Sequence, residues 1–256
     1  MKTDDLRREF DWFLQNHLRI SAPVLKRTVS EWTRFFPSCS PEAKNRFHAL
    51  ESSYSIEHWP RFCTGPELQL SLFYLDLLDQ HLTERIPKSL SHALDIGCKN
   101  WSYLPTLQAF RPGHWHGIEL DGHRRDISLT TRRGYGDYMA KHFSPATYQV
   151  GSLLELSGSY SFITWFLPFV IPYPQTLQQI PDRFFQPQAL LAKTWQLLAP
   201  NGLAFILNQG EQEVEAQRKL LQTLAINAKF LGEMTSPFNP FDQPRFAWLL
   251  EKESAT

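Results

Sequence analysis

The spacing of apolar positions changes character near residue 91. Before it, apolar residues recur at helical intervals. After it, short apolar runs alternate with helix-like stretches. Phe10, Phe13, Leu14 and Leu18 mark a first helix. Val24, Leu25, Val29, Trp32 and Phe36 predict a second amphipathic piece that stops at Pro37. A third begins at Pro41-Glu42, where Ser40 is placed to cap it. The link from Ser52 to Phe62 is polar and aromatic and has no clear period. Pro66-Glu67 then opens a strong helix with Leu68, Leu72, Leu75 and Leu78 on one stripe, running to about Leu82.

Beyond that point strands are predicted over 92–96, 114–120, 147–150, 159–166, 203–208, 230–234 and 245–250. Residues 159–166 are almost continuously apolar, as in a strand buried on both faces. Helices are predicted over 103–110, over a polar segment carrying Arg124, Arg125, Arg132 and Arg133, and over 187–198 and 211–228. Strands alternating with helices imply a mostly parallel sheet covered on both sides. The last two strands are joined by too short a loop for a crossover and should be antiparallel. The expected fold is α/β: a Rossmann-like, doubly wound, seven-stranded sheet with the last strand antiparallel. An N-terminal helical region, residues 1–90, precedes the sheet domain of residues 91–256.

Composition narrows the field. The 256 residues hold 26 Lys and Arg against 26 Asp and Glu, so no global field draws in nucleic acid or an anionic membrane. The three cysteines, Cys39, Cys63 and Cys98, have no metal-ligand spacing, which suits a reducing compartment and a cytoplasmic protein. The charged start, Met1 to Arg8, lacks the apolar run of a secretory signal. The longest apolar stretch, Tyr160 to Tyr173, is too short to span a bilayer. His114 and His116 share one strand face, too few ligands for a metal.

The candidate chemistry lies at the ends of the first strands. Leu94-Asp95-Ile96-Gly97 is a strand running into a turn, where glycine lets the backbone pass close to a ligand. Gly117-Ile118-Glu119-Leu120-Asp121 ends the second strand, with Glu119 about 20 residues past that turn. Val150-Gly151-Ser152 ends the third, and Leu197-Leu198-Ala199-Pro200-Asn201-Gly202 precedes the fifth. In this order the pieces resemble the class I S-adenosylmethionine-dependent methyltransferases over residues 91–254. The resemblance implies S-adenosyl-L-methionine as cofactor and Asp95, Gly97, Lys99, Glu119, Ser152 and Phe166 as residues around it. Gly97 would admit the methionine part, Asp95 would attract its ammonium directly or through water, and Glu119 would accept the ribose hydroxyls. Asp121 reads as a helix cap.

Two departures stand out. Lys99 and Trp101 occupy positions where the family places further glycines, and Ser152 replaces a more usual aspartate. Lys99 could pair with the cofactor's carboxylate or block the pocket. Phe166-Leu167-Pro168-Phe169 lacks the polar acceptor found where base amino groups are methylated, so the expected acceptor is a small molecule. The acceptor-side candidates are Glu57 and His58, on a link that could fold over the site as a lid, and Tyr173 in the proline-rich loop. A degenerate relative that binds a ligand or partner without catalysis is the alternative. A nicotinamide dehydrogenase is disfavoured, because no Gly-x-Gly-x-x-Gly follows the first strand.

Overall fold

A computed structural model describes residues 3–18, 20–26, 28–36 and 39–253 of the chain. Seven strands, β1 (Leu90–Ile96), β2 (Gly113–Glu119), β3 (Ala146–Val150), β4 (Tyr160–Phe166), β5 (Leu198–Gln209), β6 (Ala228–Met234) and β7 (Arg245–Glu251), form one sheet. Their order is β3-β2-β1-β4-β5-β7-β6. β1 to β5 pair in parallel, while β7 lies antiparallel to both of its neighbours. β7 therefore slots between β5 and β6, and β6 runs with the parallel strands. The segment 235–244 joining β6 to β7 carries Pro237, Pro240 and Pro244 and is too short to hold a crossover helix.

Side chains alternate across the sheet, so each strand feeds two cores. Ala93, Trp115, Phe162 and Phe205 face α3 (Gly65–Leu82), α4 (Leu104–Phe110) and α5 (Arg132–His142). Leu94, Ile118, Ile163 and Ile206 face α7 (Pro187–Leu197) and α8 (Gly210–Thr223). α3 is buried on most of its circumference because α2 (Pro41–Ser53) covers the side turned away from the sheet. Its start is fixed by a capping box: the Thr64 hydroxyl accepts the Glu67 N–H at 3.4 Å and the Thr64 N–H donates to Glu67 Oε2 at 2.9 Å. Ser40 caps α2 as the sequence implies, accepting the Ala43 N–H at 3.1 Å. Phe47 and Trp59 share one core with Ala93 and Phe162, so the N-terminal region packs directly on the sheet.

Some local expectations change. Residues 24–26 and 28–31 are irregular and a 3-10 turn follows at Trp32–Arg34; Pro37, the expected stop, lies outside the described residues. The apolar residues of this piece pack individually: Trp32 meets Phe47 at 4.7 Å, while Leu25 is exposed. Arg124 and Arg125 lie in a loop rather than a helix, and α5 starts only after Thr131, whose hydroxyl caps it by accepting the Gly134 N–H. Asp121 is thus an ion-pair partner of Arg124 and Arg132 and not a helix cap. The strand β5 begins at Leu198, earlier than the apolar run indicates, because Asn201 at φ 59° turns the chain within it. The helix α8 ends at Thr223, well before residue 228. A short α6 (Pro172–Leu177) and a 3-10 turn at Asp182–Phe184 occupy the loop after β4.

Candidate cofactor crevice

Strand register builds the site. Asp95 stands opposite Gly117 of β2 on one side and Thr164 of β4 on the other. By the two-residue period all three point to the α3–α5 face. Gly117 leaves that row without a side chain, and the Trp101 indole fills the gap: a Cβ on Gly117 would lie 2.8 Å from the ring. The indole N–H donates to Asp95 Oδ2 at 2.8 Å, and the Thr164 hydroxyl donates to Oδ1 at 2.7 Å. Asp95 is fully buried, and burial pushes its carboxyl up to about 7 despite the hydrogen bonds of Thr164, Tyr103 and Trp101.

The turn between β1 and α4 keeps the backbone path of a glycine-rich loop. Gly97, Lys99 and Trp101 have φ of 69°, 52° and 53°. Glycine adopts this region freely, whereas an L side chain costs about 1–2 kcal/mol there. At Trp101 the strain is held by complete burial of the indole and its bond to Asp95.

Above this row, at the carboxyl ends of β1, β2 and β4, a crevice encloses about 910 Å³, its open mouth included. It lies where the winding reverses between β1 and β4, the position at which doubly wound sheets bind ligands. Its walls are mainly apolar, with Ile118, Leu120 and Leu153 on one side and Phe166 to Phe169 on the other. Glu119 is the carboxylate in its lining. Oε2 accepts the Lys99 N–H at 2.8 Å; Oε1 accepts the Asp121 N–H at 2.8 Å and Arg132 Nη1 at 3.2 Å. These bonds occupy three of the roughly four acceptor positions of a carboxylate, leaving one on Oε2.

The segment after β4 roofs the crevice through Gln175, Gln178, Ile180 and Phe184. Arg132 Nη2 donates to Gln178 Oε1 at 3.3 Å, and Arg124 donates to the Gln178 carbonyl. The roof is held from outside by α1 (Thr3–His17): Arg8 pairs with Asp182 at 2.6 Å, Arg183 with Glu9 at 2.6 Å, and Trp12 packs on Phe184 at 4.7 Å.

Of the residues expected around a cofactor, Gly97, Lys99, Glu119, Ser152 and Phe166 line one cavity. A Cβ on Gly97 would meet nothing within 4 Å. The Ser152 hydroxyl accepts the Leu154 N–H at 3.2 Å, and Phe166 stacks on Tyr74 at 4.1 Å. Asp95 lies beneath the cavity, fully buried and outside its lining, with each oxygen accepting a hydrogen bond, so its carboxylate does not face a ligand directly. The Lys99 ammonium is lowered by the surrounding protein and then by the Arg132 guanidinium. The Cys98 thiol, fully buried, is raised well above its ordinary value and is no nucleophile.

The acceptor-side candidates fall elsewhere. His58 stacks on Phe143 at 5.4 Å, beyond the C-terminus of α5, whose N-terminus holds Arg132 at the crevice. The eleven residues of α5 separate the two by about 16 Å. Glu57 lies 3.9 Å from His58 and shares that position. Their link is no lid, since Ile56 and Trp59 are buried in the core. Tyr173 is exposed at the start of α6 and outside the crevice lining. Sequence reasoning missed Arg132, which it placed only within a polar helical segment, and the roof. The only signal for Arg132 was its place at the start of the helix after Glu119; the roof has no periodic pattern.

Among the described residues no group of three or more His, Cys, Asp or Glu could hold a metal, and no helix is long and apolar enough to cross a membrane. No family model and no curated protein matches the sequence. The fold does match solved structures. An S-adenosylmethionine-dependent methyltransferase from Aquifex aeolicus is 14% identical at a TM-score of 0.50, over 72% of this chain and 97% of that one. The N-methyltransferase NodS from Bradyrhizobium japonicum is 13% identical at a TM-score of 0.46, over 73% of this chain and 96% of that one. Phosphoethanolamine N-methyltransferase 2 of Haemonchus contortus, solved with S-adenosylmethionine, is 12% identical at a TM-score of 0.49, over 70% and 52%. With its strand order, the chain has the fold of the class I S-adenosylmethionine-dependent methyltransferases.

Proposed function

We propose that the crevice binds S-adenosylmethionine and that the chain transfers its methyl group to a small-molecule acceptor. The observation that carries this reading is the convergence of Gly97, Glu119 and Ser152 on one mainly apolar cavity at the switch point of the sheet. The nucleoside half of the cofactor suits the residues present. Gly97 leaves the turn open toward a ligand. Glu119 retains an acceptor position for a ribose hydroxyl, and Leu120 and Leu153 offer apolar contact to an adenine. At the amino-acid end Asp95 is withdrawn, and Lys99 offers an ammonium that suits a carboxylate. The bound sulfonium would supply an already activated methyl group, so the protein's part is alignment and exclusion of water. The roof of Gln175, Gln178 and Phe184 serves that exclusion.

One observation favours a second reading, a methyltransferase fold that binds a ligand without turnover. Asp95 is sequestered by Trp101, so one of the expected contacts to the amino acid end is missing. Isothermal titration with S-adenosylmethionine, its demethylated product and NAD separates the possibilities. Saturable binding of the first two and not of NAD is expected. No heat with either sulfur compound would remove the cofactor assignment.

A further inference from the structure

The helix α1 is packed inside out. Its sequence places Leu6, Phe10 and Leu14 at four-residue spacing with Phe13 beside them, an apolar stripe that a surface helix normally turns inward. Here the inward face carries Asp5, Arg8 and Trp12, each 9% exposed or less, whereas the stripe is 36% to 61% exposed. The inversion is fixed by polar contacts: Arg8 bridges Asp5 at 3.1 Å and Asp182 at 2.6 Å, and the Asp182 N–H donates to Asp5 Oδ1 at 3.1 Å. The exposed apolar surface continues past the helix. Leu18 and Ile20 are more than half exposed, and Arg125 bonds to both of their carbonyls. The Ala22 N–H donates to the Leu129 carbonyl, which brings the exposed Leu129 alongside.

We propose that this face is the interface of a homodimer, built by antiparallel pairing of α1 with α1 of a second copy. Three features select a second copy. A two-fold contact needs a self-complementary patch. Leu6, Phe10 and Leu14 are symmetric about Phe10, so antiparallel pairing sets Phe10 against Phe10 and Leu6 against Leu14 of the other chain. Arg7 and Asp11, 3.9 Å apart on the flank of the stripe, carry opposite charges four residues apart, so the same pairing brings each Arg7 close to Asp11 of the second copy. The exposed apolar side chains of the stripe and of Leu18, Ile20 and Leu129, at about 100 Å² each, offer on the order of 700 Å², close to the ~800 Å² per partner of a stable interface. Arg7 and Asp11 leave the flank of the stripe with no net positive charge, which speaks against an anionic bilayer as occupant.

The test is sedimentation velocity on the full chain over a range of concentrations, with Phe10→Glu and Phe10→Cys variants. Phe10 is exposed, so neither change disturbs the core. The wild type is expected to sediment as a dimer, and Phe10→Glu to weaken association at least about tenfold. Phe10→Cys should form a disulfide-linked dimer under a mild added oxidant, and Leu25→Cys, exposed but off the stripe, should not. A monomer at every concentration, a dimer that Phe10→Glu leaves intact, or binding to phospholipid vesicles in place of self-association would each overturn the proposal.

Discussion

Trp101 and Asp95 are joined by one hydrogen bond of 2.8 Å inside the core, six residues apart on either side of the first turn. That bond explains how the turn keeps a glycine-like path with a tryptophan in it, and why its acidic residue is withdrawn from the crevice. The partnership has a consequence for pH. Native Asp95 holds its proton up to about 7, whereas the ordinary carboxyl value is 3.8. Between those values the native state binds more protons than the unfolded chain. The contribution of Asp95 is therefore full below the unfolded value and is lost as pH rises toward the native one. Asp95→Asn removes this dependence. In urea titrations across the pH range, the stability of the variant relative to wild type should rise with pH and level off near 7, by up to roughly 4 kcal/mol. A difference that does not vary with pH would show that Asp95 is ionised in the native state.

Gly117 makes room for the indole. Gly117→Ala would put a Cβ 2.8 Å from the Trp101 ring and should cost about 1–3 kcal/mol in stability. Trp101→Phe keeps most of the packing but takes away the N–H, and should cost about 1–3 kcal/mol at pH values where Asp95 is charged. Chemical denaturation reads both. A neutral Gly117→Ala would mean that the indole has free space to move.

Lys99 holds φ of 52° with an exposed side chain, so only its backbone bonds to Glu119 and Tyr148, which a glycine would keep, offset the strain. Lys99→Gly should therefore stabilise the chain by about 1 kcal/mol. On the proposed function it should also weaken binding of S-adenosylhomocysteine, by removing the ammonium that faces the carboxylate. Thermal melts and titration calorimetry separate the two effects; a gain in stability with unchanged affinity would exclude Lys99 from the ligand contacts.

Glu119→Ala should weaken binding of S-adenosylhomocysteine at least about tenfold, the loss of one charge-assisted hydrogen bond. Because Glu119 also holds the Lys99 and Asp121 amides, the variant should lose stability as well. His114, bonded to Thr147 at 3.2 Å and outside the crevice lining, provides the control: His114→Ala should bind as wild type does. Equal affinity in the Glu119 variant and the wild type would defeat the ribose assignment.

The sheet was legible because its signal is periodic. Each strand is a short apolar run, and helices between them dictate parallel pairing, so even the antiparallel hairpin followed from one short loop. The crevice was legible in part for the same reason: topology sends the ends of β1, β2 and β3 to one place, carrying Gly97, Glu119 and Ser152. What stayed hidden depends on contacts between distant residues. The withdrawal of Asp95 requires knowing that Gly117 and Thr164 stand beside it in register. The placement of His58 against Phe143, away from the crevice, requires knowing where the core runs. The apolar stripe of α1 pointed to a buried face, and only the ion pairs of Arg8 with Asp5 and Asp182 turn it outward.

The central claim is that a nucleoside lies across Gly97 and Glu119. A diffraction structure of the protein grown with saturating S-adenosylhomocysteine tests it most directly. The account predicts density for the adenosine in the crevice, with a ribose hydroxyl within hydrogen-bond distance of Glu119 Oε2 and the adenine against Leu120 and Leu153. An empty crevice at saturation, or the nucleoside bound anywhere else, would contradict it.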